Sequence, residues 1–413
     1  MKPKISKLDF ESTYDKICDF INITPTIHAV NLSNITENDV YVKLENLQKA
    51  GSFKLRGALA KILSIDEKVL AKGIVAASAG NHSQGVAYAA KMLGIEKMTT
   101  IVMPENAPNA KIKGTKKYGV EVILHGKFFD DANNKAIEIA NETGKALVHA
   151  FNDLDIIKGQ GTIGIEILEA VKDLEYIFIP VGGGGLCSGI GQYVKLVNPN
   201  CKIIAVESAN VPSYFEARNL KQPILIKGKT SIADGIAVKE TGNLTFEILQ
   251  DVVDDVVLVS EEEIAQAILL LFEHCRIVAE GAGATAIAAV LFNKLALKNK
   301  KIMCVLSGGN IDVTSFLNIT NRALIDLHRR VVLQIKAAID KNNLANITTI
   351  ISHNKVQIHS IFQSQQENYL KINEETYHVC VDINDPQELI SIINQIKEKG
   401  FVLNNESYLK AIL

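Results

Sequence analysis

Short runs of β-branched and other apolar residues recur along much of the chain, most of them separated by amphipathic stretches, and this alternation restricts the fold more than any other feature. Residues 40–44, 73–78, 99–104, 120–126, 146–150, 176–182, 202–208, 254–259 and 301–307 read as strands, because an unbroken apolar run of that length, bounded by turn residues, suits a strand covered on both faces. Strands alternating with helical segments predict an α/β protein with mainly parallel sheet. Ligands in such sheets collect beyond the strand C-termini. Ser78, Gly182 and Ser307 all fall there.

Three strand-to-helix junctions carry chemistry-bearing residues. The run Ile177–Val181 leads into Gly182, Gly183, Gly184, Gly185 and Leu186, followed by helical spacing to Val194. A turn without β-carbons at a helix N-terminus lets a dianionic phosphate lie against backbone N–H groups. The alternative is a tight turn that lets helix and sheet approach, for which one or two glycines suffice. In Gly51-Ser52-Phe53-Lys54-Leu55-Arg56-Gly57-Ala58 a single lysine stands at the mouth of a helix in apolar surroundings. Burial disfavours the charged amine and frees it to condense with an aldehyde and to take a proton from carbon; a solvated lysine opening a surface helix is the other reading. After Ile74–Ala77 come Ser78, Ala79, Gly80, Asn81 and His82. Such a turn can bind a carboxylate through its amides and the Ser78 hydroxyl, or can be ordinary N-capping by Ser78 or Asn81.

Other signals are weaker. Gly159 to Gly164 spells a dinucleotide fingerprint, but no convincing strand precedes it. Gly228-Lys229-Thr230 ends like a phosphate loop, with Pro223 where the first glycine belongs. His149 and His274 are dispersed and read as packing or solvated residues. With Lys+Arg 44 against Asp+Glu 46, no general basic field exists to attract nucleic acid or an anionic membrane. No run approaches the ~18 apolar residues of a membrane span, and no apolar secretory core opens the chain, so a cytoplasmic protein is expected. The 6 cysteines lack Cys-x-x-Cys or Cys/His ligand spacing, which argues against a disulfide scaffold and a zinc site.

Taken together, Gly51 to Ala58, Ser78 to Gln84, Gly159 to Thr162, Gly182 to Leu186, Ala233-Asp234-Gly235, Glu280 to Ala284 and Ser307-Gly308-Gly309-Asn310 resemble, in order, the fold-type II pyridoxal 5′-phosphate enzymes, in particular the threonine ammonia-lyases (threonine dehydratases). The resemblance runs from about residue 20 to residue 320. It implies a tryptophan synthase β-like catalytic region over residues 1–325, with a smaller domain inserted at about 47–153 and the cofactor in the cleft between. Lys54 would be the Schiff-base lysine and the base for the α-proton, with Phe53 near the ring and Asn81 on its phenolic oxygen. Gly182 to Leu186 would bind the phosphate, Ser307 would face the ring nitrogen, and Ser78, Ala79, Gly80, Asn81 and His82 would hold the substrate carboxylate. Glu280 would lie beside the ring, or else act as a helix-start carboxylate. A neutral serine at the ring nitrogen makes the cofactor a weaker electron sink than an aspartate would, which favours loss of the β-hydroxyl over transamination. The implied reaction converts L-threonine, and L-serine too, to a 2-oxo acid and ammonia.

Serine racemases and serine dehydratases share this framework. The racemases carry a second serine where this chain has Ala79, and a metal-site carboxylate where it has Ser213 beside Glu207, so racemisation and a metal requirement are not expected. A non-catalytic amino-acid sensor is the alternative of a different class. Beyond residue 325 the pattern changes to strand 329–338, helix 344–351, strands 355–362 and 376–383, helix 386–399 and strand 401–403. That is a ferredoxin-like βαββαβ order. Over residues 326–413 it looks like the ACT-type regulatory domain of many threonine ammonia-lyases, including those of isoleucine biosynthesis. Asn342-Asn343 stand where such domains carry Pro-Gly at the effector turn; either asparagine can adopt the left-handed conformation a glycine would supply, at some cost, and a purely structural role, pairing subunits edge to edge, is the alternative to effector binding. The family suggests a homodimer or homotetramer, with an allosteric amino acid or nucleotide as an open expectation.

Overall fold

A computed structural model describes residues 5–411. It divides into two compact units, Met1–Phe316 and Leu317–Leu413.

The first unit holds two sheets. In the larger, the strands run Thr26–His28, Asp39–Leu44, Lys301–Leu306, Tyr176–Pro180, Lys202–Ser208 and Asp255–Val259 across the sheet. All neighbours are parallel except Thr26–His28, which pairs antiparallel with Asp39–Leu44 at the edge. The smaller sheet is wholly parallel, in the order Glu121–Leu124, Thr99–Met103, Ile74–Ala77, Ala146–Leu147. Every residue of Ile74–Ala77 and Thr99–Met103 is buried, which is why these strands read as continuous apolar runs and not as alternation.

Two apolar clusters dominate this unit. One packs Phe10, Ile163, Ile179, Tyr193, Ile203, Leu249 and Met303 around the larger sheet. The other gathers Leu55, Leu59, Ile62, Ile74, Ile101, Met103 and Val148 on the smaller one. Leu55, Leu59 and Ile62 belong to the helix Lys54–Ser64, which buries that face against the small sheet. Arg56 on the same helix enters a buried cluster of charges instead. Its guanidinium contacts Glu45 at 2.9 Å and Glu166 at 2.6 Å, and Lys43 meets Glu166 at 2.5 Å. The helix that begins at Lys54 is thus held by apolar packing and by ion pairs, and its first turn has little freedom.

The second unit is a four-stranded antiparallel sheet in the order Gln357–Ser364, Glu374–Asp382, Arg330–Ala338, Val402–Leu403. Helices Asn343–His353 and Pro386–Glu398 complete a strand–helix–strand–strand–helix–strand sequence, with a last helix Glu406–Ala411 after it. Leu333, Ile335, Ile347, Ile351, Val379, Val381, Ile392 and Ile396 form its core. Neither asparagine uses the left-handed conformation open to it. Asn342 has φ −93° and ψ −7°, in the right-handed region, and Asn343 is the first residue of its helix. The Asn343 side chain explains this: it donates to Ala338 O at 2.7 Å and to Glu375 at 2.8 Å, so the turn is closed by side-chain hydrogen bonds and needs no positive φ.

Candidate active site

Lys54 opens its helix directly after Phe53, whose N–H donates to Ser307 O at 3.1 Å. Ser52 bridges Gly308, and Gly309 N donates to Gly51 O at 3.0 Å, so the lysine segment is laced to the loop after the strand Lys301–Leu306. A β-carbon on Gly85 would lie 3.2 Å from Lys54 Cβ, which brings the helix Asn81–Met92 against the same residue. The Lys54 ammonium donates to Ala150 O at 2.9 Å and lies 5.2 Å from the Phe53 ring centroid. Burial pulls its pKa down to about 8, against the opposing charge of Glu280.

Asn81, the first residue of its helix, donates through Nδ2 to Glu280 Oε1 at 2.5 Å and accepts at Oδ1 from Asn310 Nδ2 at 2.8 Å. Burial and the nearby Asp234 raise the Glu280 carboxyl to about 7, against the Asn81 hydrogen bond, Lys111 and Lys54, which lower it. Lys111 forms an ion pair with Asp234. Ser307 is buried at the end of its strand, with its hydroxyl 3.4 Å from Ala282 O. Lys54, Phe53, Asn81 and Ser307 therefore meet in one place, joined by Glu280 and Asn310.

The glycine run reaches this place through Phe151, next to the carbonyl that holds Lys54. A β-carbon on Gly183 would stand 2.4 Å from the Phe151 ring, and one on Gly185 would stand 3.0 Å from Phe151 Cβ. One on Gly182 would lie 2.8 Å from Ile236 Cα, and Gly184, at φ +94°, would meet Thr245 and Leu249 at 2.9 Å. Packing alone thus calls for glycine at 182, 183 and 184 and crowds 185, more than the one or two positions that close approach was expected to need. What points to an anion is the backbone. Gly182 to Leu186 are buried, and the N–H groups of Gly183, Gly184, Gly185 and Leu186 have no protein acceptor among the described residues. Buried N–H groups at the start of a helix, without acceptors and without side chains over them, fit a phosphate. A lysine amine of lowered pKa within the same cluster fits the aldehyde of the same small molecule. The residues present therefore suit pyridoxal 5′-phosphate.

The Ser78 hydroxyl accepts from Gly80 N at 3.1 Å, so it closes its own turn, and a β-carbon on Gly80 would meet nothing within 4 Å. Ala79 packs its methyl on the small-sheet cluster. His82 is buried, with Nε2 2.9 Å from Val148 O, and burial, with Lys54 nearby, lowers its pKa to about 3. The sequence reading missed the polar residues that support these groups. His149 Nδ1 accepts from Phe151 N at 3.1 Å and Asn152 N at 2.8 Å; burial and Lys54 lower its pKa to about 4. Asn152 Oδ1 accepts from Leu244 N at 3.0 Å, and Thr245 Oγ1 donates to Gly183 O at 2.6 Å. The one local signal was the short His-Ala-Phe-Asn-Asp loop between a strand and a helix, a place where side chains cap backbone.

Comparison with known proteins agrees with this geometry. Residues 17–308 match the family described as pyridoxal-phosphate dependent enzyme. An L-threonine ammonia-lyase from Thermotoga maritima is 42% identical over 393 residues, covering 95% of this chain and 97% of that one. Among solved structures, the processed form of threonine deaminase isoform 2 from Solanum lycopersicum matches with TM-score 0.73 and 36% identity, over 78% of this chain and 90% of that one. Maize serine racemase matches with TM-score 0.73 and 31% identity, over 78% of this chain and 99% of that one.

Proposed function

The chain belongs to the pyridoxal-phosphate dependent enzyme family, and from that premise we propose that it is an L-threonine ammonia-lyase. It eliminates the β-hydroxyl of L-threonine to give 2-oxobutanoate and ammonia, and turns L-serine into pyruvate in the same way. The observation that carries this reading is the 42% identity, over 95% of the chain, to an L-threonine ammonia-lyase. The cluster around Lys54 supplies the chemistry such an enzyme needs.

When bound, pyridoxal phosphate supplies a conjugated ring that accepts the electrons released at the substrate α-carbon. Lys54 would attach it, the N–H groups of Gly183 to Leu186 would hold its phosphate, Asn81 its ring oxygen, Ser307 its ring nitrogen, and Phe53 would pack beside it. Lys54 then serves as the base for the α-proton. With a pKa of about 8 its amine is unprotonated in a useful share of molecules near neutral pH, which an ordinary lysine is not. Ser307 would offer the ring nitrogen a hydroxyl and no charge. It therefore leaves that nitrogen without a carboxylate partner, and β-elimination is favoured over transamination. The helix N-terminus at Asn81, with Gly80 open above it, receives the substrate carboxylate. Ala79 packs its methyl on the small-sheet cluster and supplies no hydroxyl at that turn to exchange a proton with the opposite face of the substrate, so racemisation is slow.

The test is a 2-oxo acid assay with threonine on wild type and Lys54→Ala, with far-UV circular dichroism to show that both are folded. Loss of all turnover in the variant is expected, and retained 2-oxobutanoate production refutes the assignment. The second unit is read as an ACT-like domain that binds a regulatory amino acid or nucleotide, in a cytoplasmic homodimer or homotetramer. Rates measured with isoleucine, valine or adenosine nucleotides present test that part separately.

A further inference from the structure

Asn310 has no role in the chemistry above, yet its side chain decides how Asn81 is turned. Asn310 Nδ2 donates to Ala50 O at 2.9 Å and to Asn81 Oδ1 at 2.8 Å. A backbone carbonyl has no hydrogen to give, so Ala50 can only be met by the nitrogen end of the Asn310 amide. Both hydrogens of that nitrogen are then committed, and the second must find an oxygen. Asn81 is accordingly held with Oδ1 towards Asn310 and Nδ2 towards Glu280, to which it donates at 2.5 Å. One hydrogen of Asn81 Nδ2 remains for a ligand. Gly51, at φ +73°, makes room for this arrangement, since a β-carbon there would stand 2.1 Å from Asn310 Oδ1.

We infer that Asn310 is a positioning residue that fixes the polarity of the Asn81 amide, so that the cofactor's ring oxygen meets an N–H donor and never the amide carbonyl. The inference rests on the reading of this site as a pyridoxal phosphate site with Asn81 at that oxygen. Without Asn310 the amide is held by Glu280 alone, and the Glu280 carboxyl, raised to about 7, can donate as well as accept, so the carbonyl end of Asn81 gains access to the ring oxygen. The donor end favours the anionic ring oxygen, which absorbs in the visible. The carbonyl end repels that anion and drives a proton onto it, moving absorbance to the near ultraviolet.

Pyridoxal phosphate is titrated into wild type, Asn310→Asp, Asn310→Ala and Asn81→Ala, reading both affinity and the ratio of visible to near-ultraviolet absorbance. Asn310→Ala places no charge beside the Ala50 carbonyl and is the variant more certain to fold. Both Asn310 variants are expected to bind about tenfold more weakly and to show a lower visible share, with Asn310→Asp the lower of the two. A merely structural role would reduce thermal stability and leave the absorbance ratio alone. If Asn81→Ala changes affinity and ratio while both Asn310 variants keep wild-type values, the inference is overturned and the Asn81 assignment stands. If Asn81→Ala also leaves both unchanged, the Asn81 assignment is wrong and the inference falls with it. A wild type that gains no visible absorbance overturns the cofactor reading itself.

Discussion

Replacing Arg56 by leucine removes one of two cations from a buried cluster that otherwise balances. Lys43 and Arg56 face Glu45 and Glu166, and none of these side chains is more than 2% exposed. The guanidinium makes two contacts of 2.9 Å with Glu45 and contacts of 2.6 and 2.9 Å with Glu166, and it also reaches Thr162 Oγ1 at 3.3 Å. Without it, Glu166 keeps Lys43, while Glu45 keeps the Thr24 hydroxyl and loses the guanidinium that neutralises it. Breaking a buried pair from one side costs about 3–5 kcal/mol, a large part of the roughly 5–15 kcal/mol that holds a folded protein. For a unit of this size that corresponds to a fall in Tm of roughly 5–8 °C. Denaturant titration of the cofactor-free protein, followed by far-UV circular dichroism, measures it. The double variant Arg56→Leu/Glu45→Leu removes a whole pair, restores charge balance and is expected to recover at least about half of the loss. A single variant that costs under about 1 kcal/mol, or a double variant less stable than the single, refutes the view that this cluster anchors the Lys54 helix.

Two further outcomes follow from groups at the site. His149 is neutral in the folded protein because burial and the nearby Lys54 lower its pKa to about 4 from the usual 6.5, and its Nδ1 accepts two backbone N–H groups. The unfolded chain binds that proton first as pH falls, so stability is intact above about 6.5 and declines towards pH 4, by up to roughly 3 kcal/mol from this residue. In His149→Asn the stability-versus-pH curve should be flatter over that interval, and an unchanged slope counts against the assignment. Gly183→Ala drives a β-carbon to within 2.4 Å of the Phe151 ring and should weaken pyridoxal phosphate binding at least about tenfold. Wild-type affinity in that variant would mean the loop does not hold the phosphate.

Parts of this arrangement were legible because they are local. Ile74–Ala77 and Thr99–Met103 are buried throughout, so their apolar runs stand out in the sequence, and Lys54 stands out because its neighbours are small or apolar. Thr26–His28 was not found, since three partly exposed residues at a sheet edge leave no periodic trace. The contacts that orient Asn81 were also beyond reach: Asn310 lies 229 positions away and Glu280 lies 199. Arg56 and Glu166 are 110 apart, and nothing near Arg56 in sequence tells a buried ion pair from a solvated one. The length of the glycine run is accounted for by Phe151, Thr245, Leu249 and Ile236 crowding the backbone, and only the fold reveals that its N–H groups lack acceptors. At Asn342-Asn343 side-chain hydrogen bonds from Asn343 close the turn, so neither residue needs the left-handed conformation that the sequence left open.

The most direct measurement is borohydride reduction of the pyridoxal phosphate-loaded protein, followed by proteolysis and peptide mass spectrometry. The added pyridoxyl mass should appear on the peptide containing Lys54, and pre-incubation with threonine should reduce it. Label on a different lysine, or no stable label in protein that binds the compound, would contradict the account.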